Sequence, residues 1–209
     1  MVSWALSALG TESCHVLPEG VPSAADWLSE RLEESGDTPL LLGTAFGLAS
    51  LFEDAPTLRL PEGTCLLETG GFKGMRRELS REECFDLYAR AGVPASHVVG
   101  EYGMAELSSQ WYDAVVGQGV PAAARVYVSP PWARTRVVDP VTGQLVAPGA
   151  DGLLLHIDPV NRGSVLAVLT QDVGTRVVDA GHRPTRDGFV YRGRASDALL
   201  KGCGLVDES

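Results

Sequence analysis

Apolar and polar positions along this chain follow two rhythms. Up to about Tyr112, helical periodicity alternates with short continuous apolar runs. Ser23 is placed to cap a helix with Asp26 three residues on, and Ala24, Trp27, Leu28 and Leu32 then share one face. Pro39 to Gly43 (PLLLG) reads as a strand buried on both faces, and Thr44 to Phe52 as the short helix after it. Cys65 to Leu67 form the centre of a second buried strand, ended by Gly70 and Gly71. Ser80 and Glu83 make a capping box with Leu79 and Cys84 as its staple, and Cys84, Leu87, Tyr88 and Ala91 mark the buried stripe of that helix. Val98 to Tyr102 is a third strand. Such alternation predicts a parallel sheet with packed helices.

Beyond about Gln118 the helical signal fades. Arg125 to Ser129, Thr135 to Val138, Leu153 to Ile157, Val165 to Leu169 and Phe189 to Arg192 read as short strands, with a turn at Asp139 to Gln144 (DPVTGQ). The expected fold class is therefore α/β: a partial parallel sheet with flanking helices, followed by a β-rich, antiparallel or barrel-like subdomain. The division falls between residues 1–117 and 118–209, with no internal repeat or low-complexity tract.

Composition narrows the function classes. Of 209 residues, 44% are hydrophobic and 21% charged, which suffices for a sizeable core. A formal charge of −10 argues against nucleic acid or an anionic membrane as partner. Cys14, Cys65, Cys84 and Cys203 form no CxxC pair, so a disulfide scaffold or structural zinc site is not expected and a reducing, cytoplasmic setting is. MVSWALSALG lacks the basic start of a signal peptide, and no apolar run approaches the roughly 20 residues that span a bilayer.

Four polar, glycine-flanked patches carry the candidate chemistry: ETGGFKG (68–74), YGMAELSSQWYD (102–113), TQDVG (170–174) and GRASDALLKGCG (193–204). Three of them follow strand-like runs, where α/β proteins hold ligand-binding groups. Each alone has a plainer reading. TGGFKG lacks the spacing of a P-loop and also fits a glycine-rich strand-to-helix connection. Tyr102 offers a ring for stacking and Glu106 a carboxylate for Mg²⁺, although so short a motif also arises by chance. Asp172 suits a pair of ribose hydroxyls or, equally, a turn cap. Arg194 and Lys201 also fit a solvated loop.

Taken in order, the patches resemble those of the adenylate-forming superfamily, which activates carboxylic acids with ATP. ETGGFKG with the following RELSREE, YGMAELSSQWYD and the closing RGR and KGCGL are most similar to the acyl-protein synthetase (LuxE-like) family, over roughly residues 40–207. The resemblance implies that Gly70 and Gly71 lie against adenine, and that Tyr102, with Gly103 beside it, stacks on the base. Glu106 would hold Mg²⁺, Asp172 the ribose hydroxyls, and Arg194 ribose or phosphate, with a catalytic part for Arg194. Cys203 would accept the acyl group, and Lys201 and Arg194 could depress its thiol pKa. A passive role for Cys203 stays open, and Cys14, Cys65 and Cys84 read as core or staple positions. The implied cofactors are ATP and Mg²⁺; the implied partners are a carboxylic, fatty acid substrate and an acyl-acceptor protein or reductase.

Three departures qualify that resemblance. No stretch resembles the SGTTG-type loop that grips the outer phosphates of ATP, and the residues before Pro39 are too few for the usual N-terminal half. Ala105 stands where such enzymes commonly have a threonine, and losing a hydrogen bond to a charged group costs about 1.5–3 kcal/mol. Asp197 and Lys201 are one residue further apart than the superfamily's GRxxDx[IL]K pattern has them. The expected activity is thus acid activation and transfer to a protein thiol, incomplete in this chain alone. It calls for a second chain carrying the phosphate loop, or for a homo-oligomer that covers the sheet edge. The alternatives are a non-catalytic remnant or accessory subunit, and an acid–thiol ligase of the phenylacetate–CoA type.

Overall fold

A βαβαβ beginning leads into an antiparallel continuation within one nine-stranded sheet, in the order β1-β2-β3-β4-β5-β9-β8-β7-β6. This is the mixed α/β class that the sequence predicts. The structure is a computed structural model that describes residues 24–36, 38–70, 79–178 and 187–195. Strands β1 (Leu40–Thr44), β2 (Cys65–Thr69) and β3 (Val98–Tyr102) run parallel, with Leu66 opposite Leu41 on one side and Val98 on the other. Strands β4 (Trp111–Tyr112), β5 (Tyr127–Val128), β6 (Arg134–Val138), β7 (Asp151–Ile157), β8 (Ala167–Val177) and β9 (Gly188–Arg194) all pair antiparallel.

Local sequence explains the three helices. In α1 (Ala24–Ser35), Leu28 is buried while Trp27 and Leu32 pack beside it. Helix α2 (Ala45–Asp54) starts where the Thr44 side chain accepts from Gly47 N at 3.0 Å. Helix α3 (Arg81–Arg90) carries the expected capping box: Ser80 Oγ accepts from Glu83 N, and Ser80 N donates to Glu83 Oε2 at 2.7 Å. Leu48, Phe52, Leu87 and Tyr88 from these helices meet Leu66 and Val98 of the sheet in one core. A second core gathers Tyr102, Trp111, Tyr127, Leu154 and Phe189 beneath the antiparallel strands.

Three expectations change. β1 is not buried on both faces: it is an outer strand, with Leu41 packed on the helical core and Leu40 51% exposed. An apolar run fixes strand propensity but not how many layers cover the strand. The strand expected at Val165 to Leu169 instead begins at Ala167 and continues to Val177, so TQDVG lies within β8 rather than in a loop after it. Likewise RGR belongs to β9. The turn at Asp139 is as expected, with its carboxylate accepting from Val141 N and Thr142 N.

Candidate functional site

The carboxyl end of β3 meets the middle of β8 and the end of β9, and this junction brings together three of the residues singled out from sequence. Asp172 is buried on β8 and pairs in register with Arg194 on β9. Tyr102, the last residue of β3, donates its hydroxyl to Asp172 Oδ2 at 2.8 Å. Arg194 Nε lies 3.9 Å from Asp172 Oδ1, on a side chain 63% exposed. Among the described residues, Asp172 Oδ1 is buried without a hydrogen-bond partner. Such an atom costs free energy unless a ligand, water or other group completes it.

A bulge lies beside the Asp172–Arg194 pair. The β8–β9 register shifts between Val173 and Gly174, which leaves Arg192 as an extra residue next to Gly193, whose φ is 109°. That conformation favours glycine. Gly174 is constrained differently: a Cβ there would lie 2.7 Å from Leu154 Cδ2. Bulges often re-aim side chains next to functional sites. The Asp172 backbone N–H donates to Thr170 Oγ1 at 3.0 Å, and Thr170 Oγ1 donates to Leu154 O at 3.0 Å.

Tyr102 is enclosed rather than laid open. It is 9% exposed, with the rings of Trp111, Tyr127, His156, Phe189 and Tyr191 around it at centroid distances of 5.2–6.3 Å. It presents its hydroxyl to Asp172 in place of a bare ring face for stacking. Desolvation and the neighbouring Asp172 raise its pKa, so the phenol keeps its proton and remains a donor.

The turn after Tyr102 carries Gly103, Ala105 and Glu106 on the surface. A side chain at Gly103 would collide with the Glu101 carboxylate. Glu101 itself is buried and accepts from the Thr69 hydroxyl across the β2–β3 pair. The Glu106 side chain is exposed, and Asn161 Nδ2 donates to Glu106 O at 2.7 Å. Asp158 clasps the far end of the turn: it accepts from Ser108 N, Ser109 N and Ser109 Oγ at 2.8–2.9 Å. Ser108 and Ser109, in the second of the four sequence patches, are therefore fasteners. Glu106 offers one carboxylate, which suits Mg²⁺ bound chiefly by phosphate oxygens and water. Among the described residues no group of three acidic, histidine or cysteine side chains could hold a metal unaided.

Gly70 closes β2 with a φ of 68° and open space where a Cβ would stand. Its backbone angle calls for glycine, and a ligand approaching it meets no described side chain there. Gly71 and Cys203 lie outside the described residues. Of the cysteines expected in the core, Cys84 is buried and its thiol is pushed up to about 12 by desolvation, while Cys65 is half-buried.

A buried charged platform supports the junction, and the sequence reading missed it. Asp113 accepts from Gly100 N at 2.7 Å and Arg125 Nη1 at 3.0 Å, and pairs with Arg81. Arg81 also reaches Glu68 Oε1 at 3.2 Å, while Tyr88 donates to Glu68 Oε2 at 2.8 Å. Desolvation raises the Glu68 pKa in spite of Arg81. The paired charges lie 12 to 32 positions apart along the chain, so no local spacing could reveal them. A surface cleft of about 370 Å³ between α1 and the 55–61 segment touches none of these residues.

No protein-family model matches the chain, and no curated protein sequence does. Solved structures do. A 2-hydroxyisobutyryl-CoA ligase in an open conformation, in complex with 2-HIB-AMP and CoA, superposes with a TM-score of 0.61 at 20% identity, covering 85% of this chain and 41% of the ligase. ATP-bound MatB from Rhodopseudomonas palustris gives 0.57 at 17% identity over 86% of this chain and 34% of its own. O-succinylbenzoate coenzyme A synthetase (MenE) from Bacillus subtilis, with ATP and magnesium ion, gives 0.53 at 18% identity over 82% and 34%. This chain thus spans between a third and two fifths of those ligases, and over that span it shares their fold.

Proposed function

We propose that this chain carries the nucleotide-binding part of an ATP-dependent ligase that activates a carboxylic acid as its acyl-adenylate. The observation that carries the reading is the buried, unpartnered Asp172 Oδ1, set between Tyr102 and Arg194 at the carboxyl end of β3. Crevices at the carboxyl ends of strands are the usual ligand sites of α/β sheets. The fold shared with ligases solved with ATP or an adenylate supports it, as does the order of the four polar patches.

In this reading the acid's carboxylate displaces pyrophosphate from the α-phosphorus of ATP. Asp172 accepts from the ribose hydroxyls through Oδ1, and Tyr102 holds the carboxylate from the other side. Arg194, exposed beside Asp172, neutralises phosphate or ribose oxygens as charge develops. Glu106 would hold Mg²⁺, which when bound screens the phosphate charge. Gly70 and Gly71 would leave room for adenine, and Gly103 keeps the turn close to Glu101. For the second half-reaction we assign Cys203 as the thiol that takes the acyl group from the adenylate, releasing AMP. An acyl-protein synthetase working with a reductase or carrier fits that step. A phosphate-gripping loop from protein outside these 209 residues would complete the site.

A second reading rests on Ala105: an accessory subunit that keeps the fold and binds nucleotide without catalysis. Calorimetric titration with Mg·ATP and a non-hydrolysable acyl-adenylate analogue, on the parent chain and Asp172→Ala, tests the shared core of both. Analogue binding lost in the variant is the expected result. Failure of the parent chain to bind either ligand overturns the nucleotide site. If binding holds, acyl label trapped on the parent chain but not on Cys203→Ser selects the thioester-forming ligase.

A further inference from the structure

Behind Asp172 runs a line of five buried polar side chains, four of which, all but Tyr102, the proposed reaction does not use. Trp111 Nε1 donates to Ser129 Oγ at 3.0 Å, and Ser129 Oγ donates to Thr135 Oγ1 at 3.3 Å. Thr135 Oγ1 lies 2.9 Å from His156 Nδ1, and His156 Nε2 lies 3.2 Å from the Tyr102 hydroxyl. Tyr102 then donates to Asp172 Oδ2. These residues come from β3, β4, β6, β7 and β8 and the turn after β5, so the line crosses the whole antiparallel part of the sheet.

The direction of every bond follows from its two ends. An indole N–H can only donate, so Ser129 Oγ accepts from Trp111, and its own proton is directed at Thr135 Oγ1. Thr135 must then give its hydroxyl proton to His156 Nδ1. At the other end Tyr102 has spent its single proton on Asp172 and the nearby Thr170 hydroxyl gives its own to Leu154 O, so the Tyr102 oxygen accepts from His156 Nε2–H. One tautomer satisfies both sides: neutral imidazole with the proton on Nε2. Protonation of Nδ1 would leave the Thr135 hydroxyl proton without its acceptor in this line.

We propose that His156 is a positioning residue of the nucleotide site: as the neutral Nε2–H tautomer it completes a one-way hydrogen-bond relay that fixes the Tyr102 hydroxyl on Asp172 Oδ2 and leaves Oδ1 facing the ligand. This rests on the proposed nucleotide-binding function. A neutral ring is what its surroundings favour, because His156 is wholly buried and desolvation draws its pKa down to about 4. Asp158 acts in the opposite sense and more weakly, and its carboxylate is already engaged by Ser108 and Ser109. The line also accounts for polar residues deep in an otherwise aromatic core, where each unpaired group would be costly.

Two readouts test it on the full chain. The first needs no ligand: ¹⁵N NMR of the histidine rings at neutral pH. The expected His156 pattern is a protonated Nε2 and an acceptor Nδ1; a protonated Nδ1 or an imidazolium overturns the relay. The second compares affinity for AMP and for 2′,3′-dideoxy-AMP. The parent chain should favour AMP by about ten- to a hundredfold, the range for a hydrogen bond to a charged group. Thr135→Val and Tyr102→Phe, which conserve shape, and His156→Phe should lower that ratio several-fold, whereas His156→Gln, which keeps a donor near Nε2, should restore most of it. Equal AMP preference in the parent chain and all the relay variants overturns the positioning role, and an equal loss for both ligands marks a structural effect and does the same. If the parent chain binds neither nucleotide, the proposed function falls, and the ring tautomer alone decides whether the relay exists.

Discussion

Asp172 and Arg194 face each other across the β8–β9 ladder, yet one is buried and the other 63% exposed, with 3.9 Å between Arg194 Nε and Asp172 Oδ1. That separation is too long for a hydrogen bond, and an exposed ion pair contributes at most about 1 kcal/mol to folding. Arg194 is therefore expected to serve a ligand more than the fold. Arg194→Ala should leave the thermal midpoint within about a degree or two and weaken Mg·ATP binding at least tenfold. Unchanged affinity in calorimetry would remove Arg194 from the site.

His156 gives the stability a pH dependence of definite sign. Its folded pKa of about 4 lies below the ordinary 6.5. Between those values the unfolded chain binds a proton that the folded chain refuses, so stability is complete above pH 6.5 and falls as pH drops towards 4. The shift corresponds to roughly 3 kcal/mol. Denaturant melts of the parent chain and His156→Gln should diverge across this window, with a shallower acid slope in the variant. Parallel slopes would show that His156 does not titrate as burial requires.

Arg125 is 2% exposed and donates to Asp113 Oδ1 and to the backbone oxygens of Ala95, Val98 and Val120 at 2.6–3.0 Å. Removing one member of a buried pair leaves an uncompensated charge, at a cost of about 3–5 kcal/mol. Arg125→Met should lower stability by that amount in urea unfolding. A loss below about 1 kcal/mol would mean that Arg81 suffices for Asp113.

The Asp158 clasp predicts a local effect instead. Asp158→Ala frees the Ser108 and Ser109 amides and detaches the end of the turn that bears Glu106. Hydrogen exchange of residues 103–110 should quicken about tenfold or more while β7 and β8 keep their protection. Uniform loss of protection would show that Asp158 supports the whole sheet.

Much of the parallel half was legible because its signals are local. Ser80 and Glu83 are three positions apart, and β3 occupies Val98–Tyr102 as its apolar run indicates. Tyr102, Asp172 and Arg194 could be named as a set from motif order, and they do converge. Their geometry was not legible. That Tyr102 is enclosed by rings depends on Phe189 and Tyr191, nearly ninety positions away, and a strand-internal bulge at Arg192 has no fixed sequence mark. His156 looked like an ordinary residue in an apolar strand, because its partners Thr135 and Tyr102 are 21 and 54 positions distant. The two-residue β4 is too short for any periodicity to register.

Strand β9 is the last described strand in the chain, yet it sits between β5 and β8, where it is the ladder's only link between β1–β5 and β6–β8 among the described residues. During synthesis, residues 188–194 must therefore leave the ribosome before the two partial sheets can be joined. Until then Asp172 waits on an incomplete strand pair, without Arg194 across from it. The Asp172–Arg194 pair is thus a product of the joining of the two partial sheets and cannot precede it.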